Sequence, residues 1–338
     1  MGQATEPLGR RAGSKKASKN AISIQLGFSG AGNPGGSTLR EYGSGHPELQ
    51  AKLAGRFGVP RDHVYLVGGT SLANFISIAA FSDPGELVAV ELPRYAPLAE
   101  VPRALGCEIA DVLVHPDGLG PIPKEARLAV VTSPHNPTGR ALADRDWKAL
   151  ARFANRGGVV VVDEVYTELQ RKRTAVAATR HPRFLTTGSF TKTHGLGGLR
   201  LGWVLGHPDL LEPIRRVDNL VSVQVATPSI LKLLTVWPRL GEWRKKNMRH
   251  VATNLRTLRA AGLSFPDPDG GLTALVDVGN GDAVSDELER RGVGVARGSY
   301  FGAPYGIRMF LGADPAVFKK GVAAICEVVE ARRDQDDR

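Results

Sequence analysis

Four consecutive valines, Val159–Val162, place the strongest constraint on how this chain folds. A strand that is apolar at every position is typical of a parallel sheet covered on both faces. Apolar runs and helical segments alternate around it along much of the chain, which predicts a doubly wound α/β domain. The predicted elements are a helix at Pro47–Phe57, a strand at Val64–Val67, a helix from Ser71 to about Phe81, a strand at Leu87–Glu91, a helix at Pro97–Leu105, a strand at Leu128–Thr132, a helix at Asp144–Asn155 and, after the valines, strands at Phe184–Thr187 and Leu199–Leu205.

Beyond Pro208 the pattern becomes mainly helical and then mixed, which predicts a smaller α+β domain. An N-terminal strand at Ala21–Leu26 is expected to help build it. We therefore predict a disordered basic tail (1–20), an N-terminal segment on the small domain (21–45), a large domain (46–240) and a small C-terminal domain (241–338). The later elements are helices at Pro228–Val236 and Glu242–Ala261, strands at Leu272–Val278, Val293–Ala296 and Gly306–Leu311, and a helix from Pro315 to about Arg332.

Length and composition are those of a globular protein. The 338 residues predict roughly two domains, and the 42% hydrophobic and 23% charged content excludes a wholly disordered chain, a collagen-like repeat and a coiled coil. No apolar stretch reaches the ~18 residues that a membrane span requires. Cys107 and Cys326 show no CxxC spacing, and residues 1–20 lack the apolar core of a secretory signal. We expect a soluble cytoplasmic protein that does not bind membranes.

The net charge of +10 raises the question of nucleic-acid binding. Five of the basic residues lie in the first 20 positions, where Glu6 is the one acidic residue. The remaining excess is spread along the chain, with no RNP motif, zinc finger or basic heptad to organise it. We therefore expect no nucleic-acid partner, and an anionic substrate or cofactor is a weaker explanation of the charge.

Three motif-like features do not meet the requirements of their motifs. The glycines of residues 30–35 match GxGxxG, but a dinucleotide site needs a helix at that loop, and Pro34 and Gly35 would break one. Residues 188–193 fail as a P-loop because Thr191 stands where glycine is required before Lys192. The eight histidines show neither HxxxH nor HExxH spacing, so the sequence predicts no metal site.

Polar residues follow the predicted strands at their carboxyl ends, where open α/β sheets bind ligands. Asp163 ends the valine strand, Asn136 follows the strand at Leu128–Thr132, and Lys192 follows the strand at Phe184–Thr187. Taken singly, each has a structural explanation, as a helix cap, a turn or a solvated side chain.

Taken in order, these segments resemble the fold-type I pyridoxal-phosphate enzymes, and more narrowly the class I/II aminotransferases. The resemblance extends from about residue 22 onward, and it implies a pyridoxal 5'-phosphate cofactor bound in the large domain. The motifs are Ser133-Pro134-His135-Asn136-Pro137-Thr138-Gly139, Asp163-Glu164-Val165-Tyr166, Ser189-Phe190-Thr191-Lys192 and Gly198-Leu199-Arg200-Leu201-Gly202.

The resemblance implies a role for each matching residue. Lys192 would form a Schiff base with the cofactor aldehyde and then move the substrate α-proton. Asp163 would pair with the protonated pyridine nitrogen. Asn136 and Tyr166 would bond the phenolic oxygen, while Arg200 and Ser189 would hold the phosphate.

Further positions complete the predicted site. Gly69, Thr70 and Ser71 open a helix directly after a strand, so their backbone amides and the helix dipole offer a phosphate site. The resemblance implies that Tyr95 stacks on the cofactor ring and that Arg308, with Asn136, binds the substrate, the arginine taking the α-carboxylate.

Tyr42 bears on the quaternary structure, and His194 departs from the family pattern. Tyr42 would reach the phosphate of the neighbouring subunit, which implies a homodimer with residues 21–45 at its interface. His194 stands where a tyrosine or phenylalanine is commoner, two residues after Lys192. It either replaces that ring or affects substrate choice.

The sequence therefore predicts a transaminase that moves an amino group between an L-amino acid and a 2-oxo acid by a ping-pong mechanism. A decarboxylase or β-eliminating lyase of the same fold is the alternative, because scattered pocket residues decide which bond breaks. A pyridoxal-phosphate-binding regulator or nucleic-acid binder is a third possibility, but residues 1–20 are too short and polar to form a DNA-binding domain.

Overall fold

The computed structural model describes residues 45–172, 174–222 and 224–336. The predicted basic tail, the strand at Ala21–Leu26 and Tyr42 lie outside these residues. In chain order the elements are α1 (Gly45–Phe57), β1 (Val64–Val67), α2 (Thr70–Ala79), β2 (Leu87–Leu92), α3 (Pro97–Ala104), β3 (Glu108–His115), β4 (Gly118–Leu119), β5 (Leu128–Thr132), α4 (Asp144–Asn155), β6 (Val159–Asp163), β7 (Phe184–Ser189), α5 (Phe190–His194), β8 (Gly202–Leu205), α6 (Pro208–Val221), α7 (Thr227–Val236), α8 (Leu240–Ala260), β9 (Thr273–Asp277), α9 (Gly281–Arg290), β10 (Ala296–Arg297), β11 (Gly306–Phe310) and α10 (Pro315–Asp336).

The larger of two sheets has eight strands in the order β1-β8-β7-β6-β5-β2-β3-β4. Its centre, from β3 to β7, is parallel, and β8, β1 and β4 pair antiparallel at the two sides. Val159 and Val161 of β6 pack in one core cluster with residues of α2, α3 and α6. Val160 and Val162 pack in the cluster of the other face, with residues of α4. The valine strand is thus covered on both faces, which confirms the predicted doubly wound α/β fold.

The order of the central strands places a crevice at the carboxyl ends of β5, β6 and β2. From β5 the chain adds β6 and β7 on one side, whereas the earlier strands β2 and β3 lie on the other side. Such a switch point is where open α/β sheets bind ligands. The register brings residues at or near the carboxyl ends of three strands side by side, because Thr132 pairs with Asp163 and Asp163 pairs with Thr187.

The second sheet is antiparallel, in the order β10-β11-β9. It packs with α9 and α10 in a core cluster of its own. The long helix α8 contributes to the cores of both parts, because Leu240 packs with residues of α1 and β8 whereas Leu255 and Leu258 pack in the second cluster. Among the described residues no helix is both long and apolar enough to cross a bilayer.

Several local predictions were wrong, among them the strand predicted at Val293–Ala296, where the structure has only the short strand Ala296–Arg297. The strand predicted at Leu199–Leu205 begins only at Gly202, since Gly197–Leu199 is a 3-10 turn and Arg200 has left-handed backbone (φ 49°). The sequence Leu199-Arg200-Leu201 alternates apolar and polar side chains as a strand does, which led to the wrong prediction. The helix α9 was missed, and so was β3, whose residues near the sheet edge are mostly exposed or half-buried and give no apolar run.

Candidate active site

A cavity of about 350 Å³ lies at the carboxyl ends of the central strands. Its lining includes ten of the residues predicted from sequence, so the fold brings them together: Thr70, Ser71, Tyr95, Asn136, Asp163, Tyr166, Ser189, Lys192, Arg200 and Arg308. Gly69 directly precedes the lining residue Thr70 but is not itself part of the lining, and Tyr42 is outside the described residues. The other lining residues, to which the sequence analysis gave no role, are Asn74, Thr132, Pro134, Val165, Thr191, Leu272, Thr273 and Phe310.

The start of α2 forms one end of the cavity. Gly69 has φ +99°, and a Cβ there would lie 2.9 Å from Nη2 of Arg200, so glycine allows the guanidinium to approach. Nη2 donates to the carbonyl oxygen of Gly68 at 3.1 Å. Within the described structure, Oγ1 of Thr70 is buried without a hydrogen-bond partner. A helix N-terminus, an arginine and an unsatisfied hydroxyl together suit an anionic group.

Asp163 is buried on the floor of the cavity and is held by two donors. Its Oδ2 accepts from Nδ2 of Asn74 at 2.8 Å, and its Oδ1 accepts from the backbone N–H of Val165 at 3.0 Å. Burial raises the pKa of Asp163 to about 6, against the lowering effect of these hydrogen bonds and of the Lys192 charge. The carboxylate is therefore poised to pair with a cationic partner in the cavity.

Asn136 and Arg308 join the two sheets at the cavity wall. Nη1 of Arg308 donates to Oδ1 of Asn136 at 3.1 Å, which leaves the amide nitrogen of Asn136 to donate elsewhere. The guanidinium lies 4.6 Å from the ring centroid of Phe301. The turn that carries Asn136 packs on the segment between α8 and β9 at Gly139 (φ +77°), whose carbonyl accepts from the backbone N–H of Asp269 at 2.9 Å.

Lys192 lies on the short helix α5, which begins directly after β7. Oγ of Ser189 accepts from the backbone N–H of Thr191 at 3.3 Å and so caps this helix. The Lys192 side chain is exposed to the cavity rather than packed. Tyr166 is buried on the same cavity, and burial raises the pKa of its hydroxyl to about 12, so it is a hydrogen-bond donor near neutral pH.

A buried carboxyl that sequence reasoning missed supports the Asn136 turn. Glu91 accepts from the backbone N–H of Thr132 at 3.0 Å and from its Oγ1 at 2.5 Å. The same hydroxyl accepts from the backbone N–H of Asn136 at 3.1 Å. Burial raises the pKa of Glu91 to about 8. An acidic residue inside the apolar run of β2 was the one available signal.

His194 does not line the cavity. Its buried ring lies 5.7 Å from the Phe190 ring, and Nε2 is 3.3 Å from Nη2 of Arg56 and 3.6 Å from Oε2 of Glu168. Burial lowers the pKa of His194 to about 4. These contacts favour the first of the two sequence hypotheses, in which the histidine replaces a packed aromatic ring.

These groups fit pyridoxal phosphate, the cofactor that the motifs imply. The start of α2, with the unsatisfied Thr70 hydroxyl and Arg200, matches its phosphate. Asp163 matches a protonated ring nitrogen, and the donors of Asn136 and Tyr166 match a phenolic oxygen.

Known sequences provide an independent comparison. The family described as aminotransferase class I and II matches this chain over residues 23–325. A histidinol-phosphate aminotransferase 2 of Nitrosospira multiformis is 27% identical over 309 residues, covering 87% of this chain and 78% of that protein. An aspartate aminotransferase of Thermococcus kodakarensis is 29% identical over 296 residues, covering 84% of this chain and 78% of that one.

Solved structures share the fold. A pyridoxal-phosphate-dependent aminotransferase from Streptococcus suis matches with a TM-score of 0.79 at 18% identity, covering 87% of this chain and 86% of that one. A Thermus thermophilus aspartate aminotransferase mutant matches with a TM-score of 0.75 at 24% identity, covering 83% and 81%. The findings confirm the predicted fold, the cofactor and transamination as the activity. On its sequence and its fold, this chain belongs to the class I and II aminotransferases.

Proposed function

We propose that the residues of this cavity carry out transamination between an L-amino acid and a 2-oxo acid, in the roles that the motifs imply. The observation that carries the proposal is that Lys192, Asp163 and Arg308 line one cavity although they come from α5, β6 and β11. A base, an anionic partner for a ring nitrogen and a carboxylate receptor are the three groups that the reaction needs.

When bound, pyridoxal phosphate supplies an aldehyde that takes the amino group and a protonated ring that withdraws electrons from the substrate α-carbon. In this proposal Nζ of Lys192 would bind the aldehyde carbon and, once the substrate amino group has displaced it, would move the substrate α-proton within each half-reaction. Asp163 keeps the ring nitrogen protonated, while Asn136 and Tyr166 donate to the phenolic oxygen. Tyr95 stacks on the ring.

The phosphate is held by the start of α2, including the backbone of Gly69, Thr70 and Ser71, and by Ser189 and Arg200. Arg308, oriented by its bond to Asn136, takes the substrate α-carboxylate in two parallel hydrogen bonds. This contact fixes which bonds of the α-carbon face Lys192.

An absorbance titration tests the activity and identifies the donor. With added pyridoxal phosphate, a donor amino acid should replace the visible band of the loaded enzyme by a near-ultraviolet band, and a 2-oxo acid should restore it. The donor panel includes histidinol phosphate, aspartate and arginine, for which relatives are named. It also includes apolar and aromatic amino acids, because Leu272 and Phe310 line the cavity. Release of ammonia or carbon dioxide without band exchange would contradict transamination.

Arg308→Leu should lower kcat/KM for the amino donor by about 10³-fold, because two charge-assisted hydrogen bonds to the α-carboxylate are lost. The loss should disappear for the matching amine that lacks the carboxylate. Arg297→Leu is the matched control, since Arg297 lies on the neighbouring strand β10 outside the cavity lining. Equal losses for amino acid and amine would contradict the assigned role.

We also propose a homodimer, as the Tyr42 resemblance implies. Leu220 and Val221 support it, because they are 88% and 53% exposed at the end of α6, and such apolar groups favour an interface. Light scattering should give twice the chain mass, and Leu220→Glu with Val221→Glu should shift it toward the monomer. Val317→Glu, at a side chain that is 64% exposed on α10, should leave the mass unchanged. A monomeric wild-type protein would contradict the proposal.

A cytoplasmic location is likewise proposed, in keeping with the two free cysteines.

A further inference from the structure

Asn74 is a buried polar residue on the cavity that none of the motifs includes. It lies one helical turn after Thr70 on α2 and is 5% exposed. Its amide contacts two residues at the carboxyl ends of neighbouring strands, Asp163 of β6 and Thr187 of β7. These two residues are register partners in the sheet.

The three side chains form a continuous chain of hydrogen bonds. Oγ1 of Thr187 donates to Oδ1 of Asn74 at 2.6 Å, and Nδ2 of Asn74 donates to Oδ2 of Asp163 at 2.8 Å. The backbone N–H of Val165 occupies the other carboxylate oxygen. Each oxygen of Asp163 therefore has one fixed donor, which holds the plane of the carboxylate in one orientation.

The direction of these bonds follows from donor and acceptor chemistry. An ionised carboxylate can only accept, so Asn74 must present its NH₂ group to Asp163. Its carbonyl oxygen then faces Thr187, whose hydroxyl must donate. Thr187, which is fully buried, thereby satisfies the amide oxygen and helps to hold the orientation that the carboxylate requires. Without that hydroxyl the carbonyl oxygen of Asn74 would lose its donor, so one of the two contacts that fix the amide would be missing.

We propose that Thr187 and Asn74 are positioning residues that orient Asp163 as the acceptor for the cofactor's ring nitrogen. This inference rests on the proposed role of Asp163. The hydrogen bonds from Thr187 to Asn74 and from Asn74 to Asp163 form a relay. This relay keeps the buried Asp163 carboxylate supplied with donors and facing the cavity, so that the ring nitrogen meets a preorganised partner. A residue with a purely structural role would instead affect every part of cofactor binding alike.

The test compares two cofactors in the apoprotein, pyridoxal phosphate and its 1-deaza analogue, in which carbon replaces the ring nitrogen. Asn74→Leu should weaken binding of pyridoxal phosphate about tenfold, because a charge-assisted hydrogen bond to its partner is lost. It should change binding of the analogue by less than about twofold, because the analogue has no nitrogen for Asp163 to pair with. Thr187→Val, which keeps the side-chain shape, should weaken pyridoxal phosphate binding severalfold with the same selectivity.

Ser77→Ala is the matched control, because Ser77 is a fully buried polar residue of the same helix that does not line the cavity. It should bind both cofactors as the wild type does. If Asn74→Leu does not fold, Thr187→Val provides the same comparison. Equal weakening of both cofactors, or no weakening of either, would overturn the relay while leaving the proposed function intact. A wild-type protein that binds neither cofactor would overturn both.

Discussion

Replacing Lys192 with alanine should lower the rate of transamination by at least about 10⁴-fold while leaving the fold intact. The variant loses both the nitrogen that binds the cofactor aldehyde and the base that carries the α-proton. The fold should survive, because the side chain extends into the cavity and α5 keeps its cap from Ser189. Single-turnover absorbance measurements and circular dichroism test the two halves of this expectation.

A second variant separates the chemistry of Lys192 from its charge. Lys192→Arg keeps a cation beside Asp163, but a guanidinium does not deprotonate in proteins and cannot act as the base. We expect it to be nearly as inactive as the alanine variant. Lys148→Ala, at an exposed position of α4, serves as the matched control and should retain full activity. Turnover by Lys192→Ala above trace level would refute the proposed mechanism.

Asp163→Asn should lower kcat by about 10³-fold, because a neutral amide does not hold the ring nitrogen in its protonated form. The side chain keeps its size, and its carbonyl oxygen can still accept from Asn74. Steady-state rates at saturating cofactor measure the loss, so that weaker cofactor binding does not contribute. Activity within about tenfold of the wild type would contradict the role assigned to Asp163.

The same variant should stabilise the apoprotein at neutral and alkaline pH. Burial raises the pKa of Asp163 from 3.8 to about 6, so the folded protein binds the proton more tightly than the unfolded chain does. Ionisation therefore destabilises the folded state: the penalty is absent below the unfolded pKa, grows as the pH rises toward 6 and is complete above it. Two pKa units correspond to at most about 3 kcal/mol.

Urea unfolding of the apoproteins at two pH values measures this effect. At pH 8, Asp163→Asn should have a larger free energy of unfolding than the wild type, and the difference should vanish near pH 4. Asp62→Asn, on the exposed 3-10 turn Arg61–His63, is the control and should show no such pH dependence. Lower stability of Asp163→Asn at pH 8 would show that the buried charge is not a cost to the folded state.

The fold was predictable wherever local pattern and burial agree. The Leu128–Thr132 strand and the Asp144–Asn155 helix have the predicted bounds, because a fully apolar run and an amphipathic run are each read from consecutive residues. The pattern failed at Leu199–Leu205, where Arg200 has left-handed backbone and its side chain bonds the carbonyl of the distant Gly68. The boundaries predicted between domains stay predictions.

The candidate site was predictable where a motif carries the chemistry. Ten predicted residues line one cavity, because they follow the carboxyl ends of parallel strands or belong to elements that the fold brings there. Their individual roles remain proposals. Neither Glu91 nor Asn74 was predicted: an acid in an apolar strand marks Glu91 but does not show what it contacts, and an amide within a helix has no distinctive local pattern.

The α/β class and the family could be predicted from the sequence, together with the candidate groups Lys192, Asp163 and Arg308, because apolar periodicity and motif order are local properties of the chain. How those groups are held depends on the folded domain. Asn74 meets Asp163 across 89 positions and Thr187 across 113, and Arg308 meets Asn136 across 172. Such hydrogen bonds depend on strand register and on the rotation of a helix against a sheet, and both are set by the packing of the whole domain.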